Sequence, residues 1–372
     1  MKVESIYIQN FKKFENLRVS FHNKILDEVS DRFLILGDNG SGKTTLLQAI
    51  ALPLALATGR IQNISDFDWI GFLPGRYWQW GTPRIELEVS FEEEELEATR
   101  EIAERWYHAL PADFRPDQFV TPGNSRVVKV ILNGELWKAG NTSAERAQFR
   151  GRYYTQRIIN RERIINRADQ SVRHYFSRLP GLFWFDQFRN LGANPNQESG
   201  EGVKEGRSET SFESGVGRLR QYLIGWKRKQ EDGRNYENDY LSQLERLYKI
   251  VFPDRYFWGL ENLPSIDSPT EEATYFLLSD GNRTYDLVEM SAGEQSIFPI
   301  LYELVRQQVA YSVVLIDEID LNLHPPAAQV LISQLLKIQP TCQFIITTHS
   351  ETVSNVISES DRYRLSGGVL CL

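Results

Sequence analysis

The spacing of hydrophobic positions changes character along this chain. Residues 3 to 9 and 17 to 22 carry strand patterns around a polar turn, and Arg32 to Leu36 is a short apolar run ending at a glycine. Ile85, Leu87, Val89 and Phe91 alternate strictly with Glu86, Glu88 and Ser90, the period of a strand with one buried face. Val127 to Leu132 and Glu135 to Lys138 flank Asn133-Gly134, the strongest short-range hairpin signal. A second hairpin is predicted at Asp280-Gly281, between ATYFLLS and RTYDLVEM. Helix is expected in RIINRERIINR and again from Arg218 to Ile250, where Pro253 bounds it. Beyond residue 290, apolar strands alternate with helical stretches, as in a parallel α/β sheet. Residues 191–216 are poor in large apolar groups and rich in Gly, Ser, Asn and Glu, which predicts a flexible loop.

Composition changes this picture little. Of 372 residues, 41% are hydrophobic and 25% charged, the balance of an ordinary soluble globular protein. The net charge of −8 argues against a protein that coats nucleic acid through bulk charge, though not against a local basic patch. Cys342 and Cys371 form neither a metal-ligand spacing nor a disulfide framework. The opening MKVESIYIQNF has no apolar signal region, and the run Leu46 to Ala57 is too short to span a bilayer. A cytoplasmic chain with no membrane partner is therefore expected.

The chemistry lies in three motifs. In FLILGDNGSGKTTLLQAIA, Gly37, Gly42, Lys43 and Thr44 fit G-x-x-x-x-G-K-[ST] between an apolar strand and a helical pattern. Residues Gly37, Asp38, Asn39, Gly40, Ser41, Gly42, Lys43, Thr44 and Thr45 are the candidate ATP-binding loop. Its glycines let backbone N–H groups turn toward a β-phosphate, and the helix start adds a favourable dipole. Lys43 reaches the β- and γ-phosphates in such loops, and the hydroxyl at the Thr44 position ligates Mg²⁺. SVVLI (Ser312 to Ile316) reads as a buried strand ending in Asp317-Glu318. There Asp317 is expected to hold Mg²⁺ through water and Glu318 to act as general base. QFIITT (Gln343 to Thr348) reads as a parallel strand that ends in His349, placed to touch a γ-phosphate. In MSAGEQS, Ser291 and Glu294 have capping-box spacing, so a helix should begin there, with Ala292 and Gly293 leaving room for a phosphate.

The order P-loop, SAGEQ, Asp317-Glu318, His349 resembles the ABC-type ATPases of the SMC/RecF class and the ATPase part of bacterial OLD-family defence proteins. NFKKF (Asn10 to Phe14) looks like the family's first strand and turn, GDNGSGKTT its Walker A, SAGEQ its signature, VVLIDE its Walker B, DLNLHP its D-loop and TTHS its switch histidine. The resemblance covers residues 1 to 50 and 285 to 352. Ala292 replaces the first glycine of the usual signature, and Ile319 stands where many relatives have proline.

The resemblance implies an α/β P-loop fold with a mixed sheet, an antiparallel β subdomain and a helical lid. The ATPase head would be split between 1–145 and 271–372, with an inserted lid over 146–270. It implies ATP and Mg²⁺, hydrolysis, and an ATP-dependent homodimer in which Ser291 and Gly293 of one subunit meet the ATP of the other, with Glu294 also among the candidate ATP-binding residues. Gln187, in LFWFDQFRN, is the candidate Q-loop metal ligand, although Asp186 and Arg189 are equally polar neighbours. No sustained heptads lie between the P-loop and SAGEQ, so a long coiled coil is not expected. After His349 no room remains for a TOPRIM nuclease, so an effector on a separate chain is expected.

Between Arg146 and Arg178 the chain holds arginines 146, 150, 152, 157, 161, 163, 167, 173 and 178, interleaved with Phe149, Tyr153, Tyr154, Tyr175 and Phe176. Such a segment suits a DNA backbone with stacked bases, a solvated helix, or the docking face of an acidic partner. Two functions follow: a nucleotide-gated switch of a defence or toxin-like system, or a RecF-like DNA clamp. A transporter subunit is disfavoured by the NFKKF opening and the TTHS ending.

Overall fold

The computed structural model describes residues 1–77, 81–111, 113, 115–116, 118–164, 170–187, 216–232, 239–264 and 272–365. Residues 191–215 of the predicted loop, Arg189 and Cys371 lie outside the described residues. The chain forms two compact units. The first comprises Met1–Asp186, Val309–Ile319 and Leu335–Leu372, and the second Gln187–Gln308 and Asp320–Gln334.

Two five-stranded sheets make up the first unit. One joins β1 (Lys2–Phe11), β2 (Phe14–Ser20), β4 (Arg84–Ser90), β5 (Val127–Asn133) and β6 (Leu136–Ala139) in the antiparallel order β2-β1-β4-β5-β6. The alternation in β4 sorts its side chains as expected: Ile85, Leu87 and Val89 are fully buried. On its other face Glu86 pairs with Arg84 and, at 3.5 Å, with Lys129 of β5. Asn133 and Leu136 pair across the predicted hairpin, and Gly134 supplies the positive φ of 61° that the turn needs.

The other sheet is entirely parallel. It contains β3 (Arg32–Leu36), β7 (Gly181–Phe185), β11 (Ser312–Ile316), β12 (Gln343–Thr348) and β13 (Arg362–Arg364) in the order β13-β3-β12-β11-β7. Every residue of β7, β11 and β12 is buried, which is why these strands read as continuous runs rather than alternations. The helix α1 (Lys43–Thr58) contacts strands of both sheets, including β1, β4, β5, β7 and β12. Covered in this way, it is apolar nearly all round, and Leu46 to Ala57 are buried throughout, Gln48 and Pro53 included.

The helices α2 (Glu93–Ala109), α3 (Ser143–Gln148) and α4 (Gly151–Ile164) also belong to this unit, as does the short α9 (Glu351–Ser354). Ala98, Ile102 and Ala103 of α2 pack with Tyr154, Ile158 and Ile159 of α4 in a core of their own.

The second unit holds a three-stranded antiparallel sheet of order β10-β9-β8, from β8 (Tyr256–Pro264), β9 (Glu272–Ser279) and β10 (Thr284–Asp286). The helical pattern after Arg218 resolves into α5 (Val216–Glu231) and α6 (Tyr240–Val251), and α7 (Ala292–Arg306) begins at the SAGEQ motif. The helix α8 (Pro325–Ile338) follows DLNLHP. The hairpin at Asp280-Gly281 is present, but its second strand ends at Asp286, short of the predicted RTYDLVEM. There the Asp286 carboxylate accepts from Val288 N (3.1 Å) and caps a tight 3₁₀ turn over Leu287–Glu289. Among the described residues no helix is long and apolar enough to cross a membrane.

Candidate active site

The register of the parallel sheet decides which residues meet. Leu36 pairs with Thr348, so the P-loop and His349 leave adjacent strands at the same level. Ile316 pairs with Ile346 on one side and Phe185 on the other, so Asp317 emerges beside Thr347 and beyond the end of β7. Gln187 follows β7 by two residues, at the start of the second unit. The carboxyl ends of parallel strands are where such sheets bind ligands.

In the loop, Gly37 is buried while Asp38, Asn39 and Gly40 are exposed, and Ser41 N–H closes a turn on the Asp38 carbonyl at 3.0 Å. Lys43 is 5% exposed and its ammonium donates to the carbonyls of Gly37 (2.8 Å) and Asp38 (3.1 Å). Thr44 and Thr45 occupy the first turn of α1 and are half-buried. NFKKF braces the loop from outside, with the Lys13 ammonium donating to the Gly40 carbonyl.

Two of the glycines differ in a testable way. Gly42 has φ 104°, and a Cβ there would lie 2.7 Å from Phe14 Cζ and 2.8 Å from Lys13 Cδ. Gly40 has φ 76° with nothing within 4 Å of its Cβ position. Gly42→Ala is therefore expected to weaken nucleotide binding by more than about tenfold. Gly40→Ala should carry only the left-handed penalty of about 1–2 kcal/mol. Titration with a fluorescent ATP analogue checks the difference, and equal affinities would remove the packing argument.

The carboxylates are held tightly. Asp317 is fully buried. Its Oδ2 accepts from the Thr44 hydroxyl at 2.6 Å and its Oδ1 from the Thr347 hydroxyl at 2.7 Å. Glu318 adopts φ 46°, a left-handed conformation uncommon for a side chain of this kind, and is half-buried. Its N–H donates to Thr347 Oγ1 at 2.7 Å. His349 is exposed at the end of β12, and Ser350 after it caps α9 through Val353 N–H (3.3 Å).

Ser291, Gly293 and Glu294 lie in the second unit. Ser291 is the N-cap of α7 and is exposed, as is Ala292. Its hydroxyl (2.7 Å) and N–H (2.9 Å) both donate to Glu294 Oε2, completing the predicted capping box. Glu294 is 3% exposed, and Oε1 accepts from the hydroxyls of Tyr248 and Tyr285, the latter at 2.7 Å, with Arg255 Nε at 3.4 Å. Burial alone would raise this carboxyl, but the donors from Tyr248, Tyr285 and Ser291 outweigh it and hold it below the ordinary glutamate range. Burial and the same carboxylate push Tyr285 up to about 12 and raise Tyr248 as well. Gly293 lies against DLNLHP: a Cβ there would be 3.3 Å from the Asn322 carbonyl oxygen.

The profile of the family described as "AAA domain, putative AbiEii toxin, Type IV TA system" matches residues 82–355. The chain belongs to that family. It is 23% identical over 425 residues to the Retron Ec83 probable ATPase of Escherichia coli, which covers 99% of this chain and 72% of that protein. The Septu protein PtuA of Bacillus mycoides (strain KBAB4) is 23% identical over 94% of this chain and 38% of its own length. The DNA replication and repair protein RecF of Listeria monocytogenes serotype 4b (strain F2365) is 41% identical over 68 residues, 18% of this chain and 16% of RecF. Among solved structures, an Smc head bound to the C-winged helix domain of ScpA has a TM-score of 0.49 at 14% identity, covering 96% of this chain and 92% of that one.

In the arginine segment of this AAA-domain protein, several described guanidiniums lie on rings or pair with acids, while Arg146 and Arg157 stay exposed. Arg152 is buried, lies over the rings of Phe176 and Phe183, and burial lowers it to about 10. Arg146 stacks 4.4 Å from the Trp137 ring centre, Arg150 and Arg157 flank Tyr153, and Arg178 pairs with Glu94 and Glu101. Phe149, Tyr154 and Tyr175 are core residues. The side chains of Arg161 and Arg163, and all of Arg167, lie outside the described residues. Tyr248 and Tyr285 lie outside the catalytic motifs, and Lys13 and Thr347 fall within NFKKF and TTHS, where nothing singled out their side chains.

Proposed function

We propose that this chain is the ATPase subunit of a bacterial defence or toxin-like system, in which ATP closes two copies on each other and hydrolysis reopens them to gate a separate effector. The observation that carries the reading is the meeting of Thr44, Asp317 and Glu318 at the carboxyl edge of one parallel sheet, beside the P-loop. The retron and Septu names of relatives that match 99% and 94% of this chain support the defence role.

Each residue then has a task. The loop from Gly37 to Thr45 wraps its N–H groups around the β-phosphate. Lys43 exchanges its two carbonyl partners for phosphate oxygens. A hydroxyl and a carboxylate oxygen 2.6 Å apart are hard donors of the kind Mg²⁺ takes, so Thr44 and Asp317, joined by Gln187, would hold that ion. Bound there, the ion supplies neutralising charge on the phosphate oxygens. Glu318 orients the attacking water and accepts its proton, and His349 contacts the γ-phosphate. Ser291 and Gly293 meet the ATP of the other copy, while Glu294 fixes their turn from below. Residues 1–145 and 271–372 would form the ATPase head and 146–270 its inserted lid.

A second reading, a RecF-like DNA clamp, is favoured by the local match to RecF. One experiment separates the two. Glu318→Gln in Mg-ATP is titrated against labelled duplex DNA at several salt concentrations, with an ATP-free control. Salt-sensitive binding that needs ATP favours the clamp. In that case Glu at positions 157, 161 and 167 should lower affinity by at least about tenfold at low salt, and unchanged binding would remove the arginine segment from the interface. No binding while the dimer forms favours the effector switch, with that segment as a protein-docking face.

A further inference from the structure

We infer that Thr347 is a positioning residue for hydrolysis, acting through Glu318; this rests on the reading of Glu318 as general base. The hydroxyl of Thr347 is fully buried and bridges both acidic residues at once. It donates to Asp317 Oδ1 at 2.7 Å and accepts the Glu318 N–H at 2.7 Å. The Thr347 carbonyl accepts the next N–H along, from Ile319, at 3.1 Å. One residue of β12 thus clamps three successive residues past the end of β11.

The clamp explains an otherwise costly conformation. A non-glycine residue in the left-handed region, such as Glu318 at φ 46°, persists only when its surroundings over-determine it. The side chain and carbonyl of Thr347 provide that constraint, and the φ of Glu318 sets the direction in which its carboxylate leaves the backbone. Because Thr347 precedes His349 by two residues on the same strand, any movement of the β12 end also reaches Glu318 through this hydroxyl. The wiring runs from the side of the site that would sense the γ-phosphate to the group that would activate water.

The test uses Thr347→Val, which keeps the β-branched shape suited to a buried strand and removes the hydroxyl. Phosphate release and ATP-analogue affinity are measured beside Thr347→Ser, Glu318→Gln and the double variant. We expect Thr347→Val to lower kcat by roughly ten- to a hundredfold, the effect of stripping a partner from buried polar groups, with affinity changed less than about threefold. Thr347→Ser should recover most of the rate. The double variant should be no slower than Glu318→Gln alone, since a residue acting through Glu318 has nothing left to position. Wild-type kcat in Thr347→Val beside an inactive Glu318→Gln overturns the inference alone, as does a further loss in the double variant. Wild-type kcat in Glu318→Gln overturns the general-base reading and this inference with it. Should Thr347→Val not fold, Thr347→Ala replaces it against Thr347→Ser: a fast Ser and a slow Ala are expected, and equal rates overturn the clamp.

Discussion

Glu318→Gln is expected to lower ATP hydrolysis by roughly 10²- to 10⁴-fold, the usual contribution of a positioned general base. Binding should persist for a structural reason. Lys43 donates to the Gly37 and Asp38 carbonyls, Thr44 and Thr347 donate to Asp317, and Thr347 Oγ1 accepts the Glu318 N–H, so these contacts do not use the Glu318 carboxylate. A glutamine of the same size leaves all of these contacts in place. Nucleotide should therefore enter and not turn over, and the closed two-copy state should accumulate. Phosphate release and light scattering in saturating Mg-ATP check the two halves separately. A variant that stays monomeric while binding ATP would remove the shared-site dimer. One that hydrolyses at the wild-type rate would remove the catalytic role. Asp317→Asn should behave oppositely: an amide has one acceptor oxygen where Thr44 and Thr347 now donate to two, so metal-dependent nucleotide binding should fall first.

The sequence was most readable where local chemistry and burial impose the same choice. The P-loop, the runs at Ser312 to Ile316 and Gln343 to Thr348, and the Asn133-Gly134 hairpin each stand where their patterns put them. Partners distant in sequence were not readable. Thr347 looks like any β-branched strand residue, and nothing in QFIITT says that its hydroxyl faces two acids 30 and 29 positions away. The helix α2 hid its buried stripe among small residues, Ala98, Thr99 and Ala103, within a strongly acidic stretch. RTYDLVEM kept strand propensity beyond Asp286, but that carboxylate found a local N–H to cap and the ladder ended. In the arginine segment charge suggested a solvent-facing surface. Arg146 and Arg157 are exposed in keeping with that, but Arg152 is buried against the rings of Phe176 and Phe183, a pairing that depends on which side chains the tertiary structure brings near.

Glu294 shows the same limit and yields the second large effect. Capping-box spacing predicted the bonds of one carboxylate oxygen, to Ser291, but not those of the other. Tyr248 of α6 and Tyr285 of β10 donate to Oε1, so one buried group joins three elements of the second unit at the signature turn. Glu294→Ala removes the carboxylate half of the capping box and leaves two buried hydroxyls and Arg255 without this acceptor. We expect a loss of about 3–5 kcal/mol, comparable to breaking a buried charged network. Glu294→Gln should cost about 1–2 kcal/mol, because one oxygen can still face the tyrosines while its NH₂ opposes the Ser291 donors.

The pH dependence fixes the mechanism. The carboxyl of Glu294 is lowered on folding, so its contribution is fully present above the unfolded value of about 4.3. It is lost as pH falls from there through the lower folded value. Tyr285, pushed up to about 12, gives the mirror image: its contribution is intact below about 10 and fades as pH rises toward 12. Amide exchange across Ser291 to Gln295 should therefore accelerate below about pH 4.5 in the wild type, beyond the intrinsic change, and Glu294→Gln should flatten that response. An equally steep acid response in both proteins would mean that another group titrates and that Glu294 does not hold the turn. Its absence in Glu294→Gln, together with faster exchange at neutral pH, would tie the exposed Ser291 to a charge buried one turn further along the helix.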